Sequence, residues 1–357
     1  MTKKINYLSV ISFIEVIIIT LYFDTSIAIL KQNVDINSWI CIILSYILGI
    51  IPLSCIIYIS KYEPNLNFFD KNIKIFGKAL GNIINIYIST ILFIIAMTIL
   101  FNICDFITSQ FLYHTPIIIS MILITLLSIY NNIKEKHTIS KVSYLLTTFN
   151  FILFTTSFLS LISKIDITNF LPILKENTKN IIPTTLKLTS INILPLIIIL
   201  IIPKSSITNY KNYDKTLILS YIIGCIISLL IIIETYGILG KYLIQILEYP
   251  EYMLLKKVKF FGVIERAENI ISIEWITSSY IYITLIIHSI SKNINTNKKT
   301  YTYILIGILL ITITKIIFKN NSITTTFCIN ILPYITGTLF PLYLIITIKI
   351  FLQRKKI

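Results

Sequence analysis

Apolar residues fall in ten blocks along the chain, and most of these blocks have the length of one membrane-spanning helix. A helix needs about 20 apolar residues to cross roughly 30 Å of hydrocarbon. The pattern predicts transmembrane helices at 8–30, 39–60, 82–111, 115–130, 139–163, 187–203, 216–239, 262–290, 301–318 and 333–352. The predicted fold class is therefore all-α, with one polytopic domain over 1–357 that is integral to a lipid bilayer.

Polar residues in the first block predict a break in its helix. Glu15 and Asp24 are nine residues apart, so on an unbroken helix they would point in opposite directions and one would approach lipid. The polar residues from Thr20 to Ser26 mark where the helix unwinds. Asp24, Thr25 and Ser26 then line a cavity as candidate ligand-binding residues. Burial of the two acids against different neighbours is the alternative.

The sixth block is short and is interrupted by Pro195, which predicts a kinked or broken sixth helix. Pro195 and the nearby Asn192 are candidate ligand-binding or pathway residues. Asp105 in the third block and Glu234 in the seventh add carboxyl groups to the predicted bundle. Ionisable residues inside spans are costly and often mark a solute or ion site, so Asp105 is a candidate as well.

The eighth block carries a polar stripe along one face of its predicted helix. Six residues fall within roughly 100° of arc on a helix that advances about 100° per residue: Glu265, Glu268, Ser272, Trp275, Ser279 and Tyr282. A solute pathway and a polar contact between packed helices both explain such a stripe. Glu274 lies on the opposite face, where a contact with a partner subunit is one hypothesis.

Basic residues predict the orientation of the chain. With a cytoplasmic N-terminus, 19 of the 31 Lys and Arg residues lie in or beside the inner connections. Positive residues favour the cytoplasmic side, so both termini are expected in the cytoplasm. Topology thus explains the net charge of +15, and no nucleic-acid partner is expected.

Cysteines, histidines and known motifs indicate no catalytic chemistry. The five cysteines form no C-x-x-C pair and the three histidines lie far apart, which predicts neither a metal site nor a disulfide framework. Nucleotide-binding glycine loops and zinc-protease motifs are absent from the sequence. We therefore expect a protein that is not an enzyme and that carries no cofactor. The outer connections 164–186 and 240–261 either cap an outward cavity or lie on the headgroups.

Two runs of residues near the eighth block resemble a known family. These are Tyr249 to Leu255 (YPEYMLL) and Phe261 to Glu268 (FGVIERAE), followed by Trp275. Together they resemble the signature region of the spore germination permeases, the B subunits of nutrient germinant receptors. The resemblance implies the LeuT-like fold of the amino acid, polyamine and organocation transporter superfamily. That fold has two inverted five-helix repeats, here 8–163 and 187–352, with broken first and sixth helices.

The resemblance also implies a function. A germinant receptor subunit senses a small-molecule nutrient, here an amino acid, in the spore inner membrane and acts with an A-type subunit and a C-type lipoprotein subunit. A proton- or sodium-coupled amino acid permease and a structural subunit without a ligand are the alternatives. The chain has Asp24-Thr25-Ser26 where members often carry glycine, and Leu194-Pro195-Leu196-Ile197 where they carry a P-F-G-E-like element. These departures leave the germinant open.

The orientation is tested by labelling single cysteines from each side of the membrane. We expect cytoplasmic labelling at 134–141 and 292–299 and outer labelling at 164–186 and 240–260, because of the distribution of basic residues. Labelling of 240–260 from the cytoplasm alone would contradict this topology.

The roles of Arg266 and Glu268 are expected to separate on mutation. Arg266 points about 100° away from Glu265 and is assigned to a structural charge network. Loss of one member of a buried network costs about 3–5 kcal/mol, so Arg266→Ala should lower membrane abundance. Glu268→Gln keeps the side-chain volume and should alter nutrient-triggered germination more than abundance. Normal germination of Glu268→Gln spores at all nutrient concentrations would indicate that the polar stripe serves only the packing of helices.

Overall fold

The computed structural model describes residues 4–134, 136–174, 177–208, 212–256, 268–294 and 298–354. These residues are nearly all helical. The α-helices are, in chain order, α1 (Tyr7–Leu21), α2 (Ile27–Asn33), α3 (Ser38–Lys61), α4 (Phe68–Phe76), α5 (Lys78–Gln110), α6 (Ile117–Lys134), α7 (Lys136–Leu161), α8 (Ile181–Asn192), α9 (Tyr213–Ile246), α10 (Pro250–Lys256), α11 (Glu268–Ile294), α12 (Lys299–Ile317), α13 (Asn321–Asn330), α14 (Leu332–Gly337) and α15 (Leu339–Arg354).

The predicted spans correspond to these helices. Within the described ranges, nine helical stretches are long and apolar enough to cross a membrane. The predicted span 262–290 corresponds to α11, whose 27 residues extend over about 40 Å. The first part of this predicted span, 262–267, lies outside the described residues. The all-α, integral membrane fold class is therefore confirmed, while Glu265 and Arg266 lie outside the described residues.

Two spans begin earlier than the sequence predicts. The sixth begins with α8 at Ile181, and Pro183 lies in its first turn, where the missing N–H of proline costs no helical hydrogen bond. The tenth includes α13, which begins at Asn321 in a segment that the sequence pattern left as a connection. The side chain of Asn320 caps α13 by accepting a hydrogen bond of 2.9 Å from the backbone N–H of Ile323.

The broken first span lies at the centre of the bundle. Nearly all of its residues are buried inside the protein, and α1 packs against α7, α9 and α11. Glu15 and Asp24 are 7% and 8% exposed, so neither carboxyl group approaches lipid. They face different neighbours, and the span is also interrupted by a π-helical turn, Tyr22–Ser26, which contains Asp24. Both of the interpretations that the sequence left open therefore describe this helix.

The connections form two opposite sides of the bundle. On one, here called the base side, the backbone N–H of Ile5 donates to Ser206 O at 2.8 Å and Tyr62 Oη donates to Gln353 Oε1 at 3.2 Å. On the other, the cap side, Lys31 Nζ donates to Leu247 O at 3.0 Å. The segments near both termini therefore lie on the base side, and the connection that contains α10 lies on the cap side.

Candidate functional site

The first span is interrupted by a π-helical turn at Tyr22–Ser26. All five residues of the turn are buried, so the irregular backbone is enclosed by protein. Thr25 Oγ1 donates to Leu21 O at 3.0 Å, which supplies a partner for a carbonyl at the edge of the break. The interruption of the first helix predicted at Thr20 to Ser26 is thus confirmed, as a π-helical turn within the continuous helical stretch Tyr7–Asn33 and not as an unwound segment. Single π turns of this kind often occur at functional sites.

The sixth span is interrupted directly after Asn192. The helix α8 ends there, and a 3₁₀-helix continues from Leu194 to Ile201. Pro195 lies at the start of this 3₁₀-helix. A proline fits there because the backbone N–H that it lacks would have no partner within the helix. Tyr343 Oη donates to Leu194 O at 2.6 Å and so satisfies a carbonyl at the break. The predicted broken sixth helix is also confirmed.

The two breaks are joined by a side-chain hydrogen bond. Ser26 Oγ donates to Asn192 Oδ1 at 2.8 Å, and both groups are buried. Ser26 ends the turn in the first span, whereas Asn192 ends the first part of the sixth. The two breaks are therefore in direct side-chain contact.

Asp24 presents a carboxylate oxygen with no partner among the described residues. Its Oδ1 accepts a hydrogen bond of 2.8 Å from Asn102 Nδ2 on α5, and the same nitrogen lies 3.3 Å from Asp24 O. Its Oδ2 is buried and makes no hydrogen bond within the described ranges. An unpaired buried carboxylate oxygen is costly, and a ligand that donates a hydrogen bond would remove this cost.

A cavity of about 360 Å³ lies on the cap side next to Asp24. It is enclosed by the broken first span, α5, α10, α11 and α13. Its charged lining residues are Asp24, Glu248, Glu251 and Lys31. We call it the cap-side cavity. Four described residues of the connection 240–261 form part of the wall of this cavity: Glu248, Tyr249, Glu251 and Tyr252.

Aromatic side chains form one wall of the cap-side cavity. The ring of Trp275 lies 4.7 Å from that of Phe106, 5.8 Å from that of Tyr249 and 6.1 Å from that of Phe23. Trp275 Nε1 is buried and has no hydrogen-bond partner among the described residues. Phe23, Tyr249, Tyr252 and Trp275 line the cavity. Their faces are suited to a cation or to an apolar side chain.

Asp105 lies behind this wall. Its Oδ2 accepts a hydrogen bond of 2.8 Å from Tyr249 Oη, and it is not one of the residues that line the cap-side cavity. Burial raises the pKa of the Tyr249 phenol, and the nearby Asp105 raises it further. Tyr249 therefore remains a neutral donor, and Asp105 orients an aromatic residue that contacts the cavity.

The polar stripe of α11 faces the protein interior over its described part. Ser272, Trp275, Ser279 and Tyr282 are each at most 5% exposed, while the side chain of Glu268 lies outside the described residues. Glu274 is 2% exposed, so the hypothesis that it contacts a partner subunit at the surface is wrong. The helix α11 packs against α1, α5, α6 and α7, and its opposite faces are therefore both internal.

Several cavity residues were not predicted from the sequence. Asn102 lies in an apolar block that shows no polar pattern, and it holds Asp24 from α5. Four polar residues of α13 line the cavity: Asn321, Ser322, Thr325 and Thr326. Their polarity resembles that of a surface loop. The sequence signal that could have indicated this role is the spacing of Asn321, Thr325 and Cys328, which places these residues on one face of a helix.

A family model described as spore germination protein matches residues 3–324. The chain belongs to the spore germination permease family. No curated protein matches the chain.

Two solved transporters share the fold of this spore germination permease. A Na⁺-coupled sialic acid symporter in a substrate-bound outward-open state superimposes with a TM-score of 0.68 and 12% identity, over 94% of this chain and 78% of its own. Mhp1, a nucleobase-cation-symport-1 family transporter in a closed conformation with bromovinylhydantoin bound, gives 0.68 and 11% over 97% and 78%. The shared fold is that of transporters with broken first and sixth helices. The repeat boundaries 8–163 and 187–352 stay a prediction.

The hydrogen bond between the two breaks predicts an energetic coupling between Ser26 and Asn192. The variants Ser26→Ala, Asn192→Ala and the double variant should show a coupling energy of about 0.6 kcal/mol, and at most about 1.7 kcal/mol, as such bonds do in membrane proteins. The measurement is the free energy of unfolding in mixed micelles. Ser26→Ala combined with Thr312→Ala is the control, because Thr312 Oγ1 bonds only within α12. Additive effects of Ser26→Ala and Asn192→Ala would contradict the coupling.

Proposed function

We propose that this spore germination permease senses an amino acid nutrient in the cap-side cavity and transmits the signal as a conformational change. One observation carries the proposal: a buried carboxylate oxygen of Asp24, at the break of the first span and beside a cavity, has no hydrogen-bond partner in the described part of the chain. The cavity volume of about 360 Å³ lies within the range of small-molecule sites. Of the residues predicted to bind the ligand, Asp24 lines the cap-side cavity, whereas Thr25, Ser26 and Asn192 do not. These three are proposed to act with Asp24 through the two breaks.

The charges of the cavity favour a ligand with an amino group. Asp24, Glu248 and Glu251 line it, and an ammonium group would donate a charge-assisted hydrogen bond to Asp24 Oδ2. The aromatic wall offers a further favourable contact for a cation. Lys31 is the one basic residue of the lining, and it would face the carboxylate of an amino acid.

A ligand on Asp24 would act on both breaks. Asp24 is two residues from Ser26, which is bonded to Asn192. Part of the cavity wall comes from α10 and from α13, so closure around a ligand would move these helices as well. A ligand shifts a conformational equilibrium only by its difference in affinity for the two states. The hydrogen bond between the breaks of the first and sixth spans supports such a difference in affinity, because a change at Asp24 would also alter the contact between these two spans.

The resemblance to germinant receptor B subunits supports the setting of this function. We infer that the chain resides in the spore inner membrane with A-type and C-type lipoprotein subunits as partners. The excess of Lys and Arg in the base-side connections supports a cytoplasmic base side and cytoplasmic termini. The cap-side cavity then opens toward the outside, from which a nutrient arrives.

A coupled amino acid permease is the second candidate function. The likeness of the fold to a Na⁺-coupled symporter supports it. Both functions use the same cavity, so ligand binding does not separate them. Uptake of a labelled amino acid into proteoliposomes would favour the permease, whereas binding without uptake would favour the sensor.

Binding can be measured through Trp275, because the chain has only two tryptophans. In a Trp39→Phe background, amino acids that enter the cavity should change the fluorescence of Trp275. Asp24→Asn should then weaken binding roughly ten- to hundredfold, since a hydrogen bond to a charged group contributes about 1.5–3 kcal/mol.

Asp70→Asn is the matched control for this experiment. Asp70 is exposed on α4, and its removal should leave the dissociation constant unchanged. Equal affinities of Asp24→Asn and Asp70→Asn for the amino acid would reject Asp24 as a ligand-binding residue. A fluorescence response to no amino acid at all would reject the proposed ligand class.

A further inference from the structure

Two small buried cavities lie beside the broken first span, separate from the cap-side cavity, and carboxyl groups line both. The first is lined by Glu234, Glu251 and Glu274, together with Ser157 of α7. The second is lined by Glu274 and Glu15. Each has a volume of about 10 Å³, close to the smallest space that admits one water molecule. An amino acid does not fit in either.

Shared residues connect these cavities to the cap-side cavity. Glu251 lines both the cap-side cavity and the first small cavity, and Glu274 lines both small cavities. We call Glu251, Glu234, Glu274 and Glu15 the carboxyl chain. It runs from the cap-side cavity to Glu15, which lies roughly 13 Å from Asp24 along the axis of the first span.

The carboxyl chain is buried with incomplete hydrogen bonding. Oε1 of Glu234, Oε1 of Glu251 and Oε2 of Glu274 have no hydrogen-bond partner among the described residues. The ion pairs within the described ranges involve other acids. An ionised carboxylate in such surroundings costs several kcal/mol, whereas a protonated carboxyl group avoids most of this cost. Ser157, which also lines the first small cavity, has a buried Oγ without a hydrogen-bond partner in the described ranges.

Among the residues that the structure describes, few other titratable groups face the carboxyl chain. Tyr22 from the first span and Tyr236 from α9 lie near it, and phenols are neutral at physiological pH. Lys31 and Glu248 lie at the cap-side end, near Glu251. Burial raises the pKa of Glu251 to about 7, although Lys31 lowers it in part. The described residues that α7 contributes to the lining of the two small cavities are uncharged.

We propose that the carboxyl chain is a proton-binding site that exchanges protons with the cap-side cavity through Glu251. A proton enters at Glu251, passes to Glu234 or Glu274 through the first small cavity, and reaches Glu15 through the second. Each transfer breaks one O–H bond on the donating carboxyl group and forms one on the accepting carboxylate, so charge and protons are conserved. The site takes protons whichever nutrient the cap-side cavity binds.

Infrared spectroscopy of the purified full-length protein at neutral pH tests the proposal. A protonated carboxyl group absorbs separately from a carboxylate, and the band shifts in D₂O when its proton exchanges. We expect such bands in the wild type, with one carboxyl band lost in Glu234→Gln and one in Glu274→Gln. Glu63→Gln is the control, because Glu63 is on the base side and pairs with Lys74. It should leave the bands unchanged.

The route is tested by the rate of exchange. Glu251→Leu removes the carboxyl group that lines both the cap-side cavity and the first small cavity. The protons behind the remaining carboxyl bands should then exchange more slowly in D₂O than in the wild type. Absence of protonated carboxyl bands in the wild type would overturn the proposal without any variant. Bands that persist unchanged in both Glu→Gln variants would also overturn it. Loss of the bands on addition of Na⁺ at constant pH would assign the site to sodium instead of protons.

Discussion

A backbone polar group without a partner in hydrocarbon costs several kcal/mol, and this constraint decides where a membrane helix can be interrupted. The interruptions of the first and sixth spans both lie inside the bundle, where other helices surround them. The carbonyl of Leu21 accepts from the side chain of Thr25, and that of Leu194 accepts from Tyr343. Because these partners come from the chain itself, the breaks are stable and the cap-side cavity can form beside one of them.

The same constraint organises the polar side chains around the cavity. Asn102 holds one oxygen of Asp24, and Asn192 holds Ser26, so each break in the first and sixth spans depends on a residue from another helix. Asp24, in the proposed ligand-binding site, and Ser26, which contacts the sixth span, therefore belong to the same π-helical turn. In the proposed function, this arrangement would couple ligand binding at Asp24 to the contact between the two breaks.

Proton content connects the cavity to the deeper part of the protein. Glu251 belongs both to the cavity wall and to the carboxyl chain, and its ionisation would add a charge at the entrance to a buried series of acids. Neighbouring acids titrate together because each charge disfavours the next. The small size of the two inner cavities restricts what can move there to protons, single water molecules or bare ions, while the larger cavity accepts the nutrient.

The sequence by itself determined the membrane class, the ten spans and the two breaks. Hydrocarbon thickness sets the length of an apolar block, and the polar residues near Asp24 and the proline at position 195 are local signals for an interrupted helix. Only the tertiary structure decided which polar groups meet. The inward position of Glu274, the contact of Asn102 with Asp24 and the place of α13 in the cavity wall all depend on how helices far apart in the sequence pack against one another, because the periodicity of residues within one helix does not specify which other helix each of its faces contacts.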